Sequence, residues 1–371
     1  MKDPRIAKLA HNLLHYSSQL KKGQSVIIEG TAESKDLIIE LVKETYNIGA
    51  FPFVRLSHEQ ISREVLMGVT EEYSTKVAHY AKPLFEEADA YIGIGVSNNV
   101  FETADVPVEK KNIHSKFFVK PIHIDIRVKK GPWAILRYPN PSMAQLAQTS
   151  LESFTDFYFD VCNLDYSKMH DAMVPLKNLM ERTDRVRIVA PDTDLTFSLK
   201  GQSAVICSGR HNIPDGEIFS SPVLNSVNGK IRFNIPSLSK GIIHDNVTLE
   251  FKDGKVISES SSNTPALTNE LNNDEGARYV GEFAFGVNPF IKKPMYDTLF
   301  DEKMRGSIHM ALGNAYEDAD NGNKSQLHWD IIQSHEPEFG GGEIYFDDVL
   351  IRKDGRFLLP ELLGLNPENL V

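Results

Sequence analysis

The sequence predicts a two-domain α/β protein, with an open α/β sheet domain over residues 1–184 and a strand-rich α+β domain over 185–371. Three observations lead there. At 371 residues the chain exceeds what one hydrophobic core usually serves. A short apolar run at Val26, Ile27 and Ile28 is followed by an amphipathic stretch to Gly49 and a second apolar run at 51–56, a strand, helix, strand unit. From about residue 186 the texture changes to short apolar runs separated by turn residues.

The elements follow in order. Residues 3–20 read as a helix with Asp3 as N-cap, Pro4 in the first turn, and Ile6, Leu9, Ala10, Leu13 and Leu14 on one apolar face. Further strands are expected at 90–96 and, from partial alternation, at 117–128. Residues 131–141 hold three prolines and a tryptophan, and 143–180 read as mainly helical. In the second domain, runs at 186–189, 195–199, 231–235, 247–251 and 256–258 read as strands. The Asp253-Gly254 step signals a hairpin, and a helix is expected at 265–273.

Forty Lys and Arg against fifty-one Asp and Glu give a formal charge of -11, which disfavours nucleic acid and anionic membrane surfaces as partners. The first twenty residues lack a signal-peptide core, and no stretch reaches the roughly 20 apolar residues that span a bilayer, so a cytoplasmic protein is expected. Cys162 and Cys207 are too few and too far apart for a disulfide framework or a thiolate zinc site, which leaves oxygen and imidazole as metal ligands.

The segment GVSNN at 95–99, after Gly93, has the glycines of a phosphate loop, but the third glycine position is Asn98 and no ribose-binding acid follows at the usual distance. A glycine-containing strand end is the preferred reading. More informative are Glu217, Glu282, Glu302, His309, His328 and Asp330, which lie in short segments rich in Gly, Asn and Pro that read as loops or strand ends. Carboxylates and imidazoles suit Zn²⁺, Co²⁺ or Mn²⁺. Two neighbouring ions need a bridging carboxylate, further acids to neutralise charge, and imidazoles, and these six residues suffice. His328 and Asp330, two apart, share a face if they lie on a strand. Each residue alone is better explained as an exposed acid, a cap or a core histidine.

Four blocks carry more than composition: GEIFSSP at 216–222, YVGEFAFGVNP at 279–289, DEKMRGSIHMALGNAY at 301–316 and SQLHWD at 325–330. Together, and in this order, they resemble the thermophilic metallo-aminopeptidase family of aminopeptidase T type. The resemblance extends to KKGQSVIIEG at 21–30 and PWAILRYPNPSMAQLAQ at 132–148, and so covers nearly the whole chain. It implies a homodimer with two divalent ions (Zn, Co or Mn) per chain, held by Glu217, Glu282, Glu302, His309, His328 and Asp330. Glu282 is then the bridging carboxylate, Tyr316 lies beside the metals, and Glu302 is a ligand, a proton carrier or both. The implied activity is release of N-terminal amino acids from peptides, by attack of a water bridging the ions, with Glu282, Tyr316 and Glu302 as the catalytic groups. A hydrolase of another small amide and a non-catalytic dimeric binding protein are the alternatives. The segment 317–327 is shorter than in the family, and its acids Glu317, Asp318 and Asp320 read either as attracting a substrate amine or as a solvated loop.

Overall fold

The computed structural model describes residues 3–239 and 241–371. Two compact units emerge, Met1–Asn163 with Gly209–Ile213 and Leu164–Ser208 with Pro214–Val371. The change expected near residue 184 thus falls beyond the helix Tyr166–Arg182, which belongs to the second unit. That helix buries Tyr166, Met169, Met173 and Leu176 and packs on the strand Val205–Cys207, and the Tyr166 hydroxyl accepts from the Asp215 N–H at 3.0 Å.

The first unit is built on a five-stranded parallel sheet in the order Phe51–Ser57, Ser25–Thr31, Ala90–Gly95, Trp133–Arg137, Asn212–Ile213. Ser25–Thr31 sits inside the sheet and buries Val26, Ile27 and Ile28 without alternation, as a strand covered on both faces does. Residues 117–128, expected as a strand, are helical instead, in Ser115–Arg127 and the first residue of Val128–Lys130. Phe118, Ile122 and Ile126 recur every four residues and pack with Phe85, Ala88 and Tyr91. This helical period prevails over the partial alternation. The fourth strand is Trp133–Arg137, in the proline-bearing stretch, where Pro132 precedes the strand and Pro139 and Pro141 follow it.

The second unit packs two main antiparallel sheets, and Ser237–Ser239 with Ile242–His244 form a separate two-stranded ribbon. The larger runs Lys255–Ser260, Thr248–Lys252, Asn228–Arg232, Thr193–Ser198, Arg185–Ala190, Glu343–Phe346, Val349–Lys353, Arg356–Phe357. Its expected hairpin turns at Asp253 and Gly254, both with positive φ (50° and 84°), as a two-residue type I′ turn demands. The helix expected at 265–273 is Thr264–Leu271. The smaller sheet runs His328–Ser334, Ser307–Gly313, Val280–Gly286, Glu217–Ser220, Val205–Cys207. Phe283 and Phe285 on its inner face meet Phe197 and Phe346 of the larger sheet at ring distances of 4.9 Å and 6.0 Å. Apolar side chains fill the space between the sheets, and the other face of the small sheet is left for polar groups.

Candidate metal centre

Register on the five-stranded sheet decides which side chains meet. Glu282 pairs with Ala311, and Ala311 pairs with Asp330 on its other side. His309 lies opposite Ala284, His328 opposite Gly313, and Glu217 opposite Gly286. Residues directly opposite in a sheet point to the same face. Glu217, Glu282, His309, His328 and Asp330 therefore share one face across four adjacent strands, with Ala or Gly opposite each on one side. The small partners leave room for longer neighbours. At Gly286 a Cβ would stand 2.3 Å from the Met304 carbonyl, so the backbone approaches as closely as only glycine allows.

Both imidazoles are pinned by main-chain oxygens. His309 Nδ1 donates to the Glu302 carbonyl at 3.0 Å, and His328 Nδ1 donates to the Asn314 carbonyl at 2.8 Å. A carbonyl only accepts, so both Nδ1 atoms carry hydrogen and both Nε2 atoms face the acids. His309 Nε2 is 3.0 Å from Glu282 Oε1 and 3.4 Å from Glu217 Oε2. His328 Nε2 is 3.5 Å from Asp330 Oδ1 and 3.9 Å from Glu282 Oε2. The two oxygens of Glu282 thus face different histidines. Glu217, Glu282 and His309 offer ligand atoms within 4.8 Å of one another.

Lys303, which sequence reasoning missed, is fully buried beneath the acids. Its Nζ pairs with Glu217 Oε1 at 3.0 Å and with Glu302 Oε1. Glu302 lies off the sheet, just after the short helix Thr298–Asp301. The adjacency of Lys303 to Glu302 in the DEK block was the available signal. Cys207, set aside as a ligand on sequence grounds, stands opposite Glu217 on the fifth strand and within 4.8 Å of Asp215 and Glu217.

Charges and burial tune the group. Burial opposes a proton on His309, but the hydrogen bond to Glu282 and the charges of Glu217 and Asp330 outweigh it and push the ring up to about 9. His328 is pushed up to about 10, burial again being outweighed by Asp330. Burial would raise Asp330, but His328 holds it below the usual carboxylate range. Burial raises Glu282 against the pull of His309, and raises Glu302 well above its ordinary range against the pull of Lys303.

Glu217 Oε2, Glu282 Oε2 and Asp330 Oδ1 are buried without a hydrogen-bond partner. Leaving such oxygens unpaired is costly, and a divalent cation is the partner that oxygen-rich, imidazole-bearing sets accept. The residues fit a metal on this ground. Tyr316 keeps 48% of its surface exposed and its ring lies 4.5 Å from that of His328. Of the acidic run, Glu317 and Asp318 face solvent, while Asp320 pairs with Lys324 at 2.9 Å and accepts from the Gly322 N–H, as in a solvated loop. In the first unit, the Asn98 N–H after the glycine-bearing strand donates to Glu59 Oε2 at 2.9 Å. That carboxylate repels a phosphate.

Comparison with known proteins places the chain in a family. A curated relative, aminopeptidase 2 of Geobacillus stearothermophilus, is 24% identical over 350 residues, 85% of this chain and 84% of its own length. Aminopeptidase T of Thermus thermophilus is 24% identical over 388 residues, 91% of this chain and 94% of its own. The solved structure of wild-type AmpT from Thermus thermophilus superposes with a TM-score of 0.82 at 22% identity, covering 96% of this chain and 99% of that one, and so shares the fold. The model of the thermophilic metalloprotease (M29) family matches residues 2–357, and the chain belongs to that family.

Proposed function

We propose that this chain is a metal-dependent aminopeptidase that binds two divalent ions, Zn, Co or Mn, on the polar face of its small sheet. Glu217, Glu282 and His309 would hold one ion, and Glu282, His328 and Asp330 the other. The observation that carries this reading is Glu282 itself, whose Oε1 faces His309 and whose Oε2 faces His328. A carboxylate turned to two imidazoles in this way suits a bridge. When bound, the metal supplies Lewis-acid activation of water and of the scissile carbonyl.

The remaining chemistry falls to the protein. Glu302, with Oε1 held by Lys303 and its pKa raised by burial, takes the proton of the attacking water on Oε2 and returns it to the leaving amine. Lys303 keeps Glu217 and Glu302 apart from each other's charge. Tyr316, beside His328 at the open side of the cluster, donates its hydroxyl to the developing oxyanion. The cluster's acids attract the free α-amine of a peptide, which restricts cleavage to the N-terminal residue.

Replacing Glu282 with Gln tests the core of the reading. Metal content should fall below two ions per chain, and hydrolysis of leucyl anilides should drop by about 10² or more; full activity with unchanged metal would overturn the assignment. Homodimerisation is supported by the edge strand Phe51–Ser57, which exposes Phe51, Phe53, Val54 and Leu56, an apolar edge that association would cover. Light scattering of the purified protein checks it. A cytoplasmic place of action is part of the same proposal; among the described residues no helix is long and apolar enough to cross a membrane.

A further inference from the structure

The first unit carries a second group of metal-ligating side chains. His11 lies in the helix Pro4–Asn12 and His15 in the π-helical turn that continues it, Leu13–Ser17. Four residues apart, they occupy one face, and their rings stack with centroids 4.0 Å apart. Glu44 comes from the neighbouring helix Lys35–Ile48. Its Oε1 faces both rings, 2.7 Å from His15 Nε2 and 3.3 Å from His11 Nδ1. Its Oε2 accepts from Asn47 Nδ2 at 3.0 Å, which fixes the carboxylate plane.

We propose that His11, His15 and Glu44 form a binding site for a divalent transition-metal ion of the zinc class, distinct from the carboxylate-rich cluster of the second unit. The three candidate ligand atoms lie within 4.8 Å of one another, so that modest side-chain rotation lets all of them reach one ion. Two imidazoles and one carboxylate are a zinc ligand set that leaves the fourth position to water or to another ligand, and copper binds such nitrogen-rich sets more tightly. The scaffold is prepared. The two helices pack on each other and bury Leu9, Leu13, Leu37 and Leu41, so the ligands project from a rigid pair. Side-chain exposures of 58% for His11 and 41% for His15 leave the site open to solvent.

The site clamps the end of the first helix to the second, so an ion there ties together two segments some thirty residues apart in sequence. The test uses the zinc-loaded full chain and equilibrium dialysis against buffered free Zn²⁺, comparing wild type with His15→Ala. Wild type should take up one more Zn²⁺ per chain than the variant, with leucyl anilide hydrolysis equal in both. Glu44→Gln, which keeps the shape of the side chain, should weaken the additional site about tenfold or more, and Asn47→Ala should weaken it by about tenfold. Equal zinc content in wild type and His15→Ala, or an additional ion unaffected by Glu44→Gln, overturns the proposal.

Discussion

Lys303 ties together two buried acids, and its loss is the sharpest single-residue experiment the cluster offers. Lys303→Met leaves Glu217 and Glu302 without their shared cation. In metal-free protein this should cost about 3–5 kcal/mol by chemical denaturation, with a smaller loss once divalent ions are added. Tyr316→Phe belongs to the same scale: turnover should fall by about 10² or more with metal content unchanged, and an unaffected turnover would remove the hydroxyl from the reaction. The six acids and histidines of the cluster were legible because their sequence blocks carry them. Lys303 and the carbonyls of Glu302 and Asn314 were not. A main-chain acceptor has no signature in the side-chain sequence, and a lysine beside a glutamate reads as an ordinary surface pair until burial is known.

At the scale of elements, sequence periodicity served best where one face meets water. The opening helix, the hairpin at Asp253-Gly254 and the helix Thr264–Leu271 were each legible from caps, turn chemistry or spacing. The strands of the small sheet were not. Val280–Gly286 and Ser307–Gly313 are buried along their whole length, so no alternation marks them, and they were read as loops or strand ends. The helix Ser115–Arg127, mistaken for a strand, supplies a pH test. Its His123 packs edge-on against Phe85, Tyr91 and Phe118, and burial, aided by Arg127, lowers its pKa to about 4 from an ordinary 6.5. A depressed histidine favours the fold while it stays neutral. Its contribution is complete above about pH 6.5 and is lost as pH falls toward 4, because the unfolded chain then binds the proton more readily. Thermal melts of His123→Phe should lack this part of the decline between pH 6.5 and 4, and identical wild-type and variant profiles would refute it.

For the whole molecule, two units and the carboxylate-rich cluster proposed to hold metal in the second give an expectation for metal removal. At free metal about 100 times the dissociation constant, binding adds about 2.7 kcal/mol to the unit that holds it. Chelation should lower the melting temperature of the second unit by about 5–10 °C. Calorimetry with and without chelator checks this, and a transition that does not move would place the metal elsewhere.

The carbonyls that hold His309 and His328 belong to the peptide chain, so their presence does not depend on which side chains stand at positions 302 and 314. The aim of each ring is inherited from the path of the backbone, just after the helix Thr298–Asp301 for His309 and just after the strand Ser307–Gly313 for His328, and not from a neighbouring side chain. Substitution nearby is then tolerated as long as the backbone path survives, and the site has few positions at which a single exchange can misdirect its imidazoles. Evolution can rework the rim around such a centre for new substrates while the ring orientation stays fixed.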